Sequence, residues 1–203
     1  NDGYKDIIIT SSGDDKVSWF PNMQGNEFGE PIIISKEIAN ASTLYPGDVN
    51  NDGNIDIVVG GSTLDDGSLY YIKNQLGAFA VPMLLCDSLI AISDIHMADM
   101  DADGDIDILF SQGGIAGRIG WIENLGNEIF GPVEVINSDW WSGNSVSSGD
   151  IDNDGDLDVV IGYGDKSGWI ENLGSGQFGS FTIVYGSASQ TDVKCADMDG
   201  DGD

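Results

Sequence analysis

Aspartate residues recur at alternate positions in three nine-residue segments of this chain. The segments run from 48 to 56, from 99 to 107 and from 150 to 158, and each fits the pattern Asp-x-(Asp/Asn)-x-Asp-Gly-x-x-Asp. A tight loop can direct the side chains at its positions 1, 3 and 5 towards one centre, and glycine at position 6 permits the sharp turn. Such oxygen ligands suit Ca²⁺, whereas zinc prefers histidine and cysteine and Mg²⁺ resists a complete protein cage.

The predicted ligands are the side chains at positions 1, 3, 5 and 9 and the backbone carbonyl oxygen at position 7. We expect the closing aspartate to bind with both of its oxygens. The first site then consists of Asp48, Asn50, Asp52, Asn54 and Asp56, the second of Asp99, Asp101, Asp103, Asp105 and Asp107, and the third of Asp150, Asp152, Asp154, Asp156 and Asp158. Because an amide replaces one carboxylate in the first site, we expect that site to bind calcium most weakly.

A fourth copy of the motif is divided between the two ends of the sequence. Its opening lies in residues 197 to 203 and its closing part in residues 1 to 6. The ligands would be Asp197, Asp199, Asp201 and the Asp203 carbonyl oxygen from one end, and Asp2 and Asp6 from the other. We expect the two ends to complete one unit within one chain or, slightly favoured, between the two chains of a homodimer, because four units close alone only with strong curvature.

Acidic turns without a metal are the alternative interpretation of these segments. Without a cation, each loop would hold several like charges within a few ångströms, at about 1 kcal/mol or more for each pair. The sequence therefore favours calcium. Extracellular calcium modules bind at about 10⁻⁴ to 10⁻³ M, so we expect a location outside the cell or on its surface.

The spacing of the motif indicates the elements that position it. The closing aspartates Asp6, Asp56, Asp107 and Asp158 lie 50, 51 and 51 residues apart, which is the spacing of propeller blades. A short β-branched run follows each of them and predicts a buried strand. A strand with an aromatic residue comes next, then a strand after a phenylalanine, and a fourth strand leads into the next loop. This pattern predicts an all-β fold in which residues 1–203 form a single β-propeller, or a segment of one, with four repeats of four-stranded antiparallel blades.

Composition excludes several classes of protein. Acidic residues outnumber basic ones 35 to 7, for a formal charge of -28, which would repel nucleic acid and anionic membrane surfaces. A hydrophobic fraction of 40% with five tryptophans argues against a disordered acidic chain. No apolar run is long enough for a membrane-spanning helix, and we expect any signal peptide to lie outside this segment.

Each repeat resembles the FG-GAP or VCBS family. The resemblance rests on the aspartate motif and on the pairs Phe28-Gly29, Phe130-Gly131 and Phe178-Gly179, with Phe79-Ala80 as the departure. Such repeats form integrin-α-like propellers and occur in many secreted bacterial proteins. The resemblance implies a propeller fold, bound calcium and a bacterial source, and it leaves the ligand open.

The loops opposite the metal loops are the candidate ligand surface, because they vary most between repeats and variable loops on a rigid scaffold commonly bind ligands. Trp140 and Trp141 in one of them could stack on a sugar ring, although one of the two could instead fill the core. His96 is a weaker candidate, since a lone histidine is more often structural.

Cys86 and Cys195 occupy non-equivalent repeat positions, so the alternatives are a disulfide and two buried apolar side chains.

Three functions are compatible with these observations. The first is an extracellular adhesion or recognition module that binds a glycan or another protein. The second is an enzyme acting on polysaccharides, as a lyase or dehydratase, but such chemistry needs a base and cationic groups, and His96 and Arg118 are the only histidine and arginine. The third is a passive calcium-stabilised spacer. The sequence favours the first.

Overall fold

The computed structural model of the protein describes residues 3–25, 27–62, 66–114, 117–140, 143–186 and 192–198, without the side chains of 139, 140 and 143. Every regular element in these residues is a β-strand. This confirms the predicted all-β class. No helix in the described part is long and apolar enough to cross a membrane.

The strands form four antiparallel sheets that follow one another along the chain, called here the first to fourth blades. The first blade contains β1 (Ile7–Ser11), β2 (Lys16–Phe20) and β3 (Ile32–Ser35). The second repeat forms β4 (Ala41–Gly47), β5 (Asp56–Ser62), β6 (Gly67–Ile72), β7 (Asn74–Gln75), β8 (Ala78–Phe79) and β9 (Met83–Leu89). The short strands β7 and β8 pair with each other, and the other four make the blade, in the order β4-β5-β6-β9.

The third and fourth blades repeat this arrangement without the extra hairpin. The third contains β10 (Ile92–Ala98), β11 (Asp107–Gln112), β12 (Gly117–Ile122) and β13 (Glu134–Trp140). The fourth contains β14 (Gly143–Gly149), β15 (Asp158–Tyr163), β16 (Lys166–Asn172) and β17 (Phe178–Gly186). The prediction of four-stranded antiparallel blades is confirmed for these three repeats.

Each complete aspartate loop joins the first two strands of a blade. The strand pairs close on either side of the loops, with the registers Gly47↔Asp56, Ala98↔Asp107 and Gly149↔Asp158. The next hairpin turns at the opposite end of the strands, as the register Ser62↔Gly67 shows in the second blade. The aspartate loops therefore lie at one end of the blades, and the variable loops lie at the other.

The core lies between successive blades. Between the second and third blades, Val58 and Leu69 share a buried cluster with Phe110. Between the third and fourth, Leu109 packs in a cluster with Val159. The strands β5 and β11, which follow an aspartate loop, are buried along nearly their whole length, as expected for the second strand of a blade covered on both faces.

A phenylalanine of each later blade packs against an aromatic ring of the preceding one. The ring centroids are 5.7 Å apart for Tyr71 and Phe130, and 5.8 Å apart for Trp121 and Phe178. The first and second blades are joined in the same way. The ring of Trp19 in the first blade and the ring of Phe79 in the second repeat have centroids 6.1 Å apart. The phenylalanine of the Phe-Gly pair thus joins blades to each other.

Two strand predictions differ from the structure. The apolar run after Asp6 forms β1, but Ile7 is 46% exposed and Ile9 41% exposed. Both lie on one face of the first blade. Their counterparts Ile57 and Val59 pack against the preceding blade, and among the described residues no sheet covers that face of the first blade. The strand expected around Val193 is not formed in residues 192–198. That segment nevertheless lies beside β14, where the Val193 backbone N–H donates to the Ser145 hydroxyl oxygen at 3.3 Å.

Candidate metal loops and ligand surfaces

The first aspartate of each loop organises the loop backbone. Its two carboxylate oxygens accept the N–H groups of positions 5 and 6. The accepted bonds measure 3.0 and 2.9 Å for Asp48, 3.1 and 3.0 Å for Asp99, and 3.2 and 3.1 Å for Asp150. The glycine at position 6 has φ values of 83°, 95° and 100° in the three loops, a conformation that side chains disfavour. The sequence pattern therefore specifies the loop conformation.

The closing aspartates Asp56, Asp107 and Asp158 are fully buried. One oxygen of each accepts the backbone N–H of the asparagine that ends the aromatic strand, at 2.8 Å in all three blades. Burial raises the pKa of Asp107 to about 6. A buried carboxylate with a raised pKa gains from a cation that stabilises its charged form.

Carboxylates converge in the second and third loops. One oxygen each from Asp99, Asp101 and Asp107 lies within 4.8 Å of the others, and the same holds for the equivalent set Asp150, Asp152 and Asp158. Burial first, and then the charges of Asp103 and Asp99, raise the pKa of Asp101. The donor set is oxygen only and strongly anionic, so it fits a hard divalent cation such as Ca²⁺.

The position 5 carboxylates lie beside these convergent sets and also hold the loop backbone. A carboxylate oxygen of Asp103 accepts the Asp105 backbone N–H at 2.9 Å, and Asp154 accepts that of Asp156 at the same distance. The structure therefore brings together positions 1, 3 and 9, and keeps position 5 close enough for the charge of Asp103 to raise the pKa of Asp101.

A further acidic residue lies beside the second loop and was missed by the sequence reasoning. The pKa of Glu123 is raised, first by burial and then by the nearby charges of Asp101 and Asp103. Glu123 also lines a depression of about 310 Å³ together with Trp121 and Glu134. A signal for it was present, because a glutamate stands at the same repeat position in the fourth blade.

The first loop, residues 48–56, has different contacts. The Asn50 amide nitrogen donates to the Tyr71 hydroxyl oxygen at 3.2 Å and to Glu128 at 3.3 Å. The Tyr71 hydroxyl in turn donates to a carboxylate oxygen of Asp56 at 2.8 Å. The Tyr71 hydroxyl thus connects the side chains at positions 3 and 9 of the first loop. The residues of the first loop therefore fit a metal ion less well than those of the other two loops do.

Buried asparagines tie the loops to the next blade. The Asn124 amide nitrogen donates to the Val49 carbonyl oxygen at 2.8 Å, and the Asn172 amide nitrogen donates to the Met100 carbonyl oxygen at 2.7 Å. Val49 and Met100 are the second residues of their loops. Because each asparagine also donates its backbone N–H to the closing aspartate of its own blade, consecutive loops are connected through one side chain.

Several predicted site residues lie outside the described part of the chain. These are Asp2, Asp199, Asp201, Asp203 and Trp141, together with the side chain of Trp140. Asp6 is described, and one of its oxygens accepts the Asn22 backbone N–H at 2.7 Å, as the other closing aspartates do with their asparagines. Asp197 is exposed. The divided site stays a prediction.

His96 lies on β10 between two neighbouring first strands. Its Nε2 atom is 2.9 Å from the Ser148 hydroxyl oxygen, and its ring packs edge-on against Tyr45 with 5.3 Å between centroids. Burial lowers the pKa of His96. These contacts give it a structural role, and a role in ligand binding stays a prediction.

Both cysteines are free thiols. Cys86 is half-buried and Cys195 is exposed. The two cysteines therefore form no disulfide, and they are not both buried.

Comparison with known sequences identifies the repeats. The sequence model of the FG-GAP-like repeat matches residues 1–59, 48–110, 99–161 and 150–203. The chain belongs to the FG-GAP-like repeat family. A comparison with curated proteins found no match.

Comparison with solved structures places the FG-GAP-like chain among propellers. A structure of an Agrocybe aegerita lectin that specifically recognises non-reducing terminal N-acetylglucosamine is similar, with a TM-score of 0.60 at 18% sequence identity. The likeness covers 87% of this chain and 48% of the lectin. The chain therefore spans about half the length of that lectin, and the likeness shows the propeller fold.

Proposed function

We propose that this protein is a calcium-stabilised extracellular propeller that binds a glycan or a protein ligand. The observation that carries the calcium part is the convergence of three carboxylates in each of two loops, 99–107 and 150–158. An ion at each loop would offset the repulsion between those carboxylates and the cost of burying the closing aspartate. Sites of this class are mostly filled only outside cells, which supports an extracellular location.

The binding part of the proposal rests on architecture. The similar propeller is a lectin rather than an enzyme. The blades here place their variable turns together at the end away from the aspartate loops, where a rigid scaffold can present them to a ligand. Glycans with terminal N-acetylglucosamine are the first class to test, because that is the sugar the similar lectin recognises.

Calcium removal tests the stabilising role. Each site held at about ten times its dissociation constant adds about 1.4 kcal/mol to the free energy of unfolding. Two sites would raise the melting temperature by about 6–11 °C in a chain of this size. Melting curves in calcium and in excess EGTA measure the difference. A melting temperature that does not change with EGTA, or purified protein without calcium by elemental analysis, would overturn the calcium part.

A glycan array probed in calcium and in EGTA tests the binding role. We expect binding to at least one glycan class, and its loss when W140A and W141A are combined in one variant. The control is L76A. Leu76 is exposed, but it lies at the end of the blades that carries the aspartate loops, away from the proposed ligand surface. No binding to glycans or to candidate protein ligands would favour the spacer interpretation, and turnover of acidic polysaccharides would favour an enzyme.

A homodimer that completes the divided loop is also part of the proposal. Phe28 occupies the repeat position of the phenylalanines that join blades, and it is 46% exposed. Trp169 occupies the position of their ring partners and is half-buried. A second copy could pair these two rings. Light scattering with calcium should give the mass of two chains and with EGTA the mass of one, whereas a calcium-loaded species of monomer mass would exclude the dimer.

A further inference from the structure

We propose that the first loop, residues 48–56, binds no metal ion, because the Lys73 ammonium group and the Tyr71 hydroxyl take the place of the cation. This inference rests on the proposed calcium function of the other two loops. It replaces the expectation that the first loop is only the weakest of three calcium sites.

The ammonium group is in contact with the loop. Lys73 Nζ lies 3.9 Å from a carboxylate oxygen of Asp52, the position 5 residue. The same ammonium group forms an ion pair with Glu128, which also accepts the Asn50 amide. The half-buried Lys73 therefore offsets one of the negative charges beside the loop, and Glu128 of the next blade holds it there.

The hydroxyl group joins the two positions between which an ion would lie. In the second and third loops, carboxylates at positions 3 and 9 approach each other within 4.8 Å. In the first loop, Tyr71 accepts a hydrogen bond from Asn50 and donates one to Asp56. An ion bound by Asp56 would have to compete with the Tyr71 hydroxyl for that carboxylate, and the side-chain ligands of the first loop carry three negative charges where those of the other two loops carry four.

Charge counts support the same conclusion. The first loop has three aspartates and adjoins a lysine, while each of the other loops has five aspartates and adjoins a glutamate at the position equivalent to Lys73. Fewer anionic ligands give weaker calcium binding. The aromatic residue two positions earlier changes in parallel, from tryptophan in the third and fourth blades to Tyr71. The two substitutions together convert an ion site into a hydrogen-bonded loop.

Counting bound calcium in paired variants tests the inference. D48N/D52N should leave the number of ions per chain unchanged, whereas the matched variant D99N/D103N should lower it by one. Replacing the three distinctive residues by their counterparts, in N50D/Y71W/K73E, should raise the number by one. Elemental analysis of the folded protein after dialysis against calcium gives the counts.

The outcomes separate this inference from the proposed function. A loss of one ion in D48N/D52N, or an unchanged count in N50D/Y71W/K73E, would overturn the inference while leaving the other calcium sites intact. An unchanged count in D99N/D103N would instead contradict the calcium proposal.

Melting in EGTA provides a measurement that does not depend on calcium. There K73M should lower the melting temperature by about 2–4 °C, since it removes the positive charge beside the loop. The matched variant E123Q should raise it, since it removes one of several repelling charges. No decrease in K73M would also overturn the inference.

Discussion

The buried asparagines that connect neighbouring blades can be tested by replacing Asn172 with alanine. The wild-type amide nitrogen donates to the Met100 carbonyl oxygen at 2.7 Å and to the Leu157 carbonyl oxygen at 3.0 Å, and the amide oxygen accepts the Gly174 N–H at 3.1 Å. Asn172 is fully buried and Met100 is 1% exposed. Alanine would therefore leave a buried carbonyl of the preceding blade without its partner, at about 1–3 kcal/mol, and remove two further bonds worth about 1 kcal/mol each. We expect a total loss of about 3–5 kcal/mol.

Asn74 provides the matched control. It occupies the same repeat position, and its side chain bonds the Ile55 carbonyl oxygen and the Gly77 N–H. Those bonds are exposed, so water can replace them and N74A should cost about 1 kcal/mol. Urea unfolding in the same calcium buffer gives both values, and the difference of about 2–4 kcal/mol corresponds to about 4–16 °C in melting temperature. Equal losses in the two variants would refute the argument that the asparagine stabilises the joint between blades.

Two further predictions concern His96 and a glycine of the fourth blade. The pKa of His96 is lowered by burial. The neutral form of His96 therefore stabilises the fold above a pH of about 6.5, and this contribution is lost as the pH falls through the folded pKa. The melting temperature should fall more in the wild type than in H96Q between pH 7.5 and 5.5, and equal decreases would contradict this. A Cβ atom at Gly168 would overlap the Thr182 carbonyl oxygen, whereas one at Gly13 would meet nothing within 4 Å. G168A should therefore lose about 3 kcal/mol or more and G13A less than about 0.5 kcal/mol in urea unfolding, and similar stabilities would show that the sheet adapts to the added methyl group.

The fold was predictable because its signals are local and repeated. Alternate aspartates with a glycine specify the loop, and the β-branched run after Asp56 or Asp107 specifies a strand that the structure buries. The same run after Asp6 gave the correct strand and the wrong burial. An apolar pattern indicates which residues suit a core, but it does not show whether a neighbouring blade covers them.

The contacts between repeats were not predictable in the same way. Phe130 was recognised as part of a family pattern, yet its packing against Tyr71 joins residues far apart in sequence. Lys73 was visible as a departure from the repeat, but its role depends on the side chains of Asp52 and Glu128 in three dimensions. Sequence reasoning predicted the ligand positions and missed the residues that alter their chemistry.

The aromatic pairs between blades have a consequence for how such a chain can change in evolution. Each blade in the middle of the array has a ring for the blade before it and a ring for the blade after it, as Phe130 and Trp121 do in the third blade. A duplicated or deleted repeat would therefore meet compatible neighbours on both sides without any compensating substitution. Propellers of different blade number can arise from one such unit by gene duplication alone. A single loop can also change its chemistry, as we infer for residues 48–56, while its neighbours keep the carboxylates that we propose bind calcium.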